Sequence, residues 1–307
     1  MRKYNLFLSI FVLFIIINMI ISPALYIQQT LNGISAWAFN VLPSVLPFMF
    51  FTKVLTSLGI LEKATKIFGH TTQKLFKTPP ISSFVFLTSA VSGYPVGSKM
   101  TADLYQSGKI TKAEAFKMCS FCSTSGPMFI VGAVGVGMLK NSIYGYIILA
   151  SHLLGALLNG ILYRNIKTHS DNDCQKKMVD KPTQNDLSSI ILDSCLSILS
   201  VGSIIAIFFV IITAISPLFS IFPSTIASFL EGIIEITKGC IGIANSVNSL
   251  WAVPVCTFII SFGGISTIIQ SITMLNKLKM PIKLFVLQKI SHAFISTLIS
   301  IIILFVF

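Results

Sequence analysis

Acidic side chains are scarce in this chain: ten Asp and Glu stand against 22 Lys and Arg, and charged residues of both signs make up only 10% of 307 positions. Ordinary soluble domains carry about 25%. So large a deficit excludes a solvated globular surface over most of the length. Long hydrophilic runs are also missing, apart from Arg164 to Asp186. The six cysteines, Cys119, Cys122, Cys174, Cys195, Cys240 and Cys256, form no paired framework. Cys119-Ser-Phe-Cys122 has redox or metal-ligand spacing, but it has no second pair and no histidine near it in sequence. Small residues packing one helix against another is the simpler reading. No phosphate loop, dinucleotide turn, metal-ligand cluster or hydrolytic triad is visible, so neither an enzyme nor a cofactor or metal is expected.

What is present is apolar. Hydrophobic residues reach 54%, with 25 phenylalanines, and runs of the ~20 residues needed to cross a ~30 Å bilayer core recur along the chain. The class is an all-α polytopic membrane protein, placed in the cell membrane with the lipid bilayer as its solvent. The net charge of +12 sits in short loops between these runs. Positive loops on the cytoplasmic side explain it better than nucleic acid does. The first run, Leu6 to Ile27, exceeds the roughly 7 to 15 apolar residues of a signal peptide. It reads as a retained span with a cytoplasmic N-terminus.

The pattern divides into a first span (1–28), a first repeat (29–166), a cytoplasmic connection (167–186) and a second repeat (187–307). In the first repeat a span carrying Pro43 and Pro47 precedes Ile60 to Lys77, whose apolar residues fall at helical spacing between lysines, as in a helix lying in the interface. Ile81 to Gln106 follows, interrupted at its centre by Ser92-Gly-Tyr-Pro-Val-Gly-Ser-Lys99. Ala113 to Leu139 is interrupted by Ser123-Thr-Ser-Gly-Pro127, and Ser142 to Tyr163 is a cleaner span. The second repeat offers a span at Leu187 to Pro217, an amphipathic stretch at Ser220 to Gly239, and Leu250 to Asn276 interrupted by Ser261-Phe-Gly-Gly-Ile-Ser266. A last apolar run ends at Phe307. Leu61-Glu62 meets Leu230-Glu231 at an offset of 169, and Gly93 meets Gly263 at 170. On that register the second repeat lacks its last span.

Lipid offers no hydrogen-bond partners, so non-helical backbone at membrane depth survives only inside protein or along a polar cavity. The interruptions at 92–99 and 261–266 therefore predict two re-entrant helical hairpins in an inverted repeat, with about six full spans and two amphipathic interfacial helices. Loop charges favour re-entry for the first. For the second they favour a full crossing, which puts Lys277, Lys279 and Lys283 inside, whereas the repeat favours re-entry.

Helices broken at mid-membrane aim N–H groups at the cavity, and unwound carbonyls hold cations. Ser92, Ser98, Ser123, Ser125 and Ser261 offer hydroxyls there, while Gly93, Gly97, Gly126, Gly263 and Gly264, with Pro95 and Pro127, permit the turns. Lys99 is either a solute contact or a snorkelling side chain. Glu235 is a candidate for a coupling proton or cation, and Glu231 reads as a solvated face. Gln270 bonds either the solute or another helix. His292, near Lys289, is either a proton relay or a packing residue.

These motifs carry a family resemblance. Ser92 to Lys99, Ala102-Asp-Leu-Tyr105, Gly108-Lys-Ile110 and Phe121-Cys-Ser-Thr-Ser-Gly-Pro-Met-Phe-Ile-Val-Gly-Ala-Val-Gly-Val-Gly137 resemble the signature of the sporulation integral membrane protein YlbJ family. Leu230-Glu231, Glu235-Ile-Thr237-Lys-Gly239, Ser261 to Gly264 and Gln270 resemble motifs of the wider nucleoside-recognition or gate-domain group. That group includes concentrative nucleoside transporters and the membrane part of the ferrous iron transporter FeoB. The resemblance implies hairpin tips meeting at a midplane site and a role in sporulation; the helix N-termini at the breaks favour a small polar or anionic solute moved there, and a homo-oligomer is a further expectation. Thr237 joins the site set on the same ground. A non-transporting scaffold for spore envelope formation is the alternative.

Overall fold

A computed structural model describes residues 2–167 and 187–306; of the expected connection 167–186, all but the first residue lies outside them. Among the described residues there are helices and turns and no strand. Helix α1 (Arg2–Ile21) leads into α2 (Pro23–Ala36), which continues through a π-helical turn (Trp37–Val41) into α3 (Leu42–Ser57). Pro23 starts α2 because a first-turn N–H has no intrahelical acceptor, so the N–H that proline lacks is not missed. Then come α4 (Ile60–Phe76), α5 (Ile81–Ser92), α6 (Val96–Gln106), α7 (Lys112–Cys119), a π-helix (Met128–Met138), α8 (Ser142–Leu162) and α9 (Leu187–Ile215). The chain continues with α10 (Ser224–Ile234), α11 (Ile236–Ser246), α12 (Ser249–Phe262), α13 (Gly264–Leu275) and α14 (Ile282–Val306). Among the described residues, five stretches are long and apolar enough to cross a membrane: Pro23–Leu55, Ser142–Leu162, Leu187–Leu218, Leu250–Leu278 and Ile282–Val306. Their outward faces carry exposed leucine, isoleucine and phenylalanine, such as Leu196, Ile207, Phe294 and Leu298. In water that would be a liability, whereas in lipid it is the expected surface.

The broken elements decide the topology. Helices α5 and α6 fold back on one another around Gly93-Tyr94-Pro95, and α10 and α11 fold back around Glu235. Helices α12 and α13 do not pack along each other, although Gly263 separates them. The hairpin of the second half is therefore α10–α11, not the 250–276 segment that the 170-residue offset selects. Residues 220–239 correspondingly are not an interfacial helix: Glu235 is 3% exposed and Thr237 1%. Each half then reads in the same order, as hairpin, broken span and unbroken span. These are α5–α6, α7 with Met128–Met138, and α8; then α10–α11, α12–α13, and α14. Helix α14 stands where α8 stands, and the two pack against each other, so the second half has its last span.

Small residues let the backbones approach. A Cβ on Gly33 of α2 would lie 2.9 Å from Ala206 Cα of α9, and one on Gly202 of α9 would lie 2.6 Å from the Trp37 ring. Trp37 Nε1 donates to the Ile198 carbonyl at 3.2 Å, closing the same contact. Across the two halves, α6 packs on α13, and α11 packs on Met128–Met138. One end of the molecule gathers the basic turns. Lys77 Nζ donates to Asn165 Oδ1 at 2.7 Å, Lys117 Nζ to the Lys77 carbonyl at 3.3 Å, and Lys277 Nζ to Gln106 Oε1 at 3.1 Å.

Candidate functional site

Four backbone breaks meet inside the molecule. Helix α5 ends at Gly93, whose φ of +79° is open to glycine and strained for other residues. A Cβ there would lie 2.7 Å from Gly126 N, so the tip of the first hairpin rests directly on the unwound stretch Ser123–Gly126. In the second half a Cβ on Gly264 would lie 3.2 Å from the Ile234 carbonyl, and the α10–α11 tip rests on the α12–α13 break in the same way. The two pairs are joined by Tyr94, whose hydroxyl donates to the Ile260 carbonyl at 3.3 Å. A Cβ on Gly263 would lie 3.6 Å from the Tyr94 ring.

Lys289 of α14 enters this junction from outside both hairpins. It is 2% exposed. Its ammonium donates to Tyr94 Oη at 2.7 Å and to the Ser123 carbonyl at 3.0 Å, and lies 4.5 Å from the centre of the Tyr94 ring. The ion pair among the described residues is elsewhere, between Lys238 Nζ and Glu231 Oε1 at 3.5 Å. That pair lines a groove of about 490 Å³ with Gln29, Asn32 and Asn40.

His152 of α8 is fully buried and fixes the second break from behind. The Ser125 backbone N–H donates to its Nε2 at 2.9 Å, so that nitrogen carries no proton. The imidazole proton therefore sits on Nδ1, which lies 2.8 Å from Ser261 Oγ and donates to it. The Ser261 O–H is left as the next donor. His292 Nε2 donates to the His152 carbonyl at 2.9 Å, and the two rings lie 4.7 Å apart. Asn159 Nδ2 donates to the carbonyls of Ser120, at 2.7 Å, and Gln288, at 3.0 Å. Gln288 Nε2 in turn donates to the Phe116 carbonyl at 2.9 Å. A buried donor left unpaired costs about 1–3 kcal/mol. This continuous pairing is what allows non-helical backbone to persist at membrane depth.

The sequence-predicted site residues separate into three groups. Ser92, Gly93, Pro95, Gly97, Ser98, Ser123, Ser125, Gly126, Pro127, Ser261, Gly263 and Gly264 all lie at or beside the breaks. Among them, the buried hydroxyls of Ser98 and Ser123 have no hydrogen-bond partner in the described structure. Glu235 and Thr237 sit at the second tip, where the Glu235 carboxylate accepts the Lys238 N–H at 2.7 Å and caps α11. Lys99 and Gln270 are apart from the breaks. Lys99 is exposed on α6, on the side away from buried Gly97, Ser98, Thr101 and Ala102, and Gln270 is half-buried well along α13. His152, Tyr94 and Lys289 are the residues that sequence reasoning passed over. Their signal was an ionisable or phenolic group in the middle of an apolar span, which lipid tolerates only when the group faces inward.

The fold and its apolar spans define an integral membrane protein. Residues 38–142 match the family model described as "Gate: Nucleoside recognition". Over 94% of its length the chain is also similar, at 26% identity, to the sporulation integral membrane protein YlbJ of Bacillus subtilis (strain 168), covering 80% of that relative. A solved structure of CNTnw in an outward-facing state shares the fold, with a TM-score of 0.56 and 14% identity over 87% of this chain and 76% of that one.

Proposed function

We propose that the protein binds a small polar or anionic solute where the hairpin tips meet the broken spans, and moves it across the membrane. The carrying observation is the pair of buried, unpartnered hydroxyls, Ser98 and Ser123, beside the open N-terminus of α6. Unpaired polar atoms at such depth are costly unless a ligand or water meets them. The likeness of fold to CNTnw in an outward-facing state supports a carrier. The name of the B. subtilis relative supports a role in sporulation. No chemistry on the solute is part of this reading, and association with further copies of the chain belongs to it as an expectation from sequence.

The loop charges support one orientation. With the N-terminus in the cytoplasm, α5–α6 enters from the cytoplasmic side and returns, while α10–α11 enters from the outer side. Arg2 and Lys3, the lysines of α4, Lys109 and Lys112, Arg164, and Lys277, Lys279 and Lys283 then all face inward, as the positive-inside rule requires. The conflict raised by a second re-entrant segment at 250–276 disappears, because that segment crosses.

The test uses purified protein in detergent and in liposomes, with a panel of nucleosides, carboxylates and phosphorylated metabolites. At least one compound is expected to raise the melting temperature and to enter liposomes, and the Ser123→Ala variant is expected to lose the effect. A panel with no binder, or a binder indifferent to Ser123→Ala, overturns the reading.

A further inference from the structure

The Lys289 ammonium has the surroundings of a bound monovalent cation rather than those of an ion-paired lysine. Its contacts are a main-chain carbonyl of an unwound segment (Ser123, 3.0 Å), a phenolic oxygen (Tyr94, 2.7 Å) and an aromatic face 4.5 Å away. Unwound carbonyls at broken membrane helices are the groups that coordinate free cations, and an aromatic face attracts any cation placed over it. The Ser123 carbonyl belongs to the break and Tyr94 to the hairpin tip lying on it. Gly93 and Gly126 bring the two within contact. The lysine stem arrives from α14, a third element, which three hydrogen bonds through Gln288 and Ser291 fasten to Asn159 of α8 and to Phe116 of α7, while Asn159 also holds the Ser120 carbonyl. The ammonium is thus delivered on a fixed support to a place where two non-helical turns present oxygen atoms.

We propose that Lys289 Nζ is a tethered cation. It fills the cation site formed by the Ser123 break and the Tyr94 tip, and so pins the first hairpin without any inorganic ion. The solute reading above gains a coupling property from this: solute binding at the tips is independent of sodium and potassium. Only that consequence rests on the solute reading, since the cation site itself is measured without solute.

The experiment follows thermal unfolding of the purified full chain at matched ionic strength in sodium, potassium, choline and ethylammonium chlorides. The wild type is expected to melt at one temperature in all four. Lys289→Ala opens the cage: its melting temperature falls in choline, and ethylammonium or sodium restores about half of the loss by binding the native state. Lys289→Met is destabilised as well, but its side chain fills the space, so no cation restores it. The proposal is overturned by a wild type that sodium stabilises, by a Lys289→Ala protein that no cation rescues, or by one as stable as the wild type. Should Lys289→Ala fail to fold, hydrogen exchange of the wild type at residues 93–97 and 123–126 decides. Equal protection in sodium and choline upholds the tethered cation, and added protection in sodium refutes it. A solute panel that finds no binder leaves these readouts untouched.

Discussion

One methyl group at Gly97 tests the packing of the first hairpin. A Cβ built there falls 1.7 Å from the Cys122 carbonyl oxygen and 2.6 Å from Ser89 Oγ. The Ser89 hydroxyl can rotate away, but the Cys122 carbonyl is backbone of the turn leading into the break. Ordinary carbon–oxygen contacts begin near ~3.3 Å, so α6 and this segment would have to separate by roughly 1.6 Å. Overpacking of this kind costs about 1–3 kcal/mol. Rotating the Ser89 hydroxyl away gives up its hydrogen bond of 3.0 Å to Thr124, worth about 1 kcal/mol more. The expected loss is therefore about 2–4 kcal/mol. Alanine is otherwise the better helix former by up to ~1 kcal/mol, so an α6 with open space at this position would be stabilised. The sign of the effect thus decides the question. Thermal unfolding in detergent should show Gly97→Ala falling by at least about 4 °C, at roughly 2 °C or more per kcal/mol. Gly126→Ala, whose Cβ meets the Val91 carbonyl at an ordinary 3.4 Å, serves as the control and should stay near the wild type. A Gly97→Ala protein that melts at or above the wild type would refute the close approach of α6 to Cys122.

Ser123→Ala removes a buried hydroxyl that bonds nothing, so stability should hold or rise slightly while solute binding is lost; a drop of more than about 1 kcal/mol in chemical unfolding would mean that the hydroxyl is paired. His152→Phe strips the acceptor from the Ser125 N–H and should cost about 1–3 kcal/mol. Faster amide exchange at Ser125 is its specific sign, and unchanged exchange would rule out this hydrogen bond. Asn159→Leu leaves the Ser120 and Gln288 carbonyls without their shared donor; a loss of about 2–3 kcal/mol is expected, with Asn159→Ala and Asn159→Leu alike in size if hydrogen bonding rather than volume is the cause.

The interruptions themselves were legible in sequence because glycine, proline and serine in an apolar run have few other uses. Ser92 to Lys99, Ser123 to Pro127 and Ser261 to Ser266 all fall at real breaks. The second hairpin was not legible. Glu231, Glu235 and Lys238 have the spacing of a helix lying at a wet interface, yet here one pair lines a groove and Glu235 caps α11. Periodicity reports that a polar face exists and not whether water, a cap or an ion pair receives it. Which lysine points inward was not legible for a related reason. Lys99 and Lys289 both lie in membrane-depth segments, and which one points inward depends on the rotation of α6 and α14, set by contacts from distant parts of the chain. His152 left a signal, a lone ionisable group in a long span, but its partners Ser125 and Ser261 are 27 and 109 positions away.

The packing of α6 on α13, and of α11 on Met128–Met138, has a mechanical consequence. Each hairpin leans its returning arm on the broken span of the opposite half, as two hands of a clasp each grip the other wrist. A displacement of one tip therefore loads the far break as well as its own. For the carrier proposed above, opening from one side of the membrane and closing from the other then become a single coordinate.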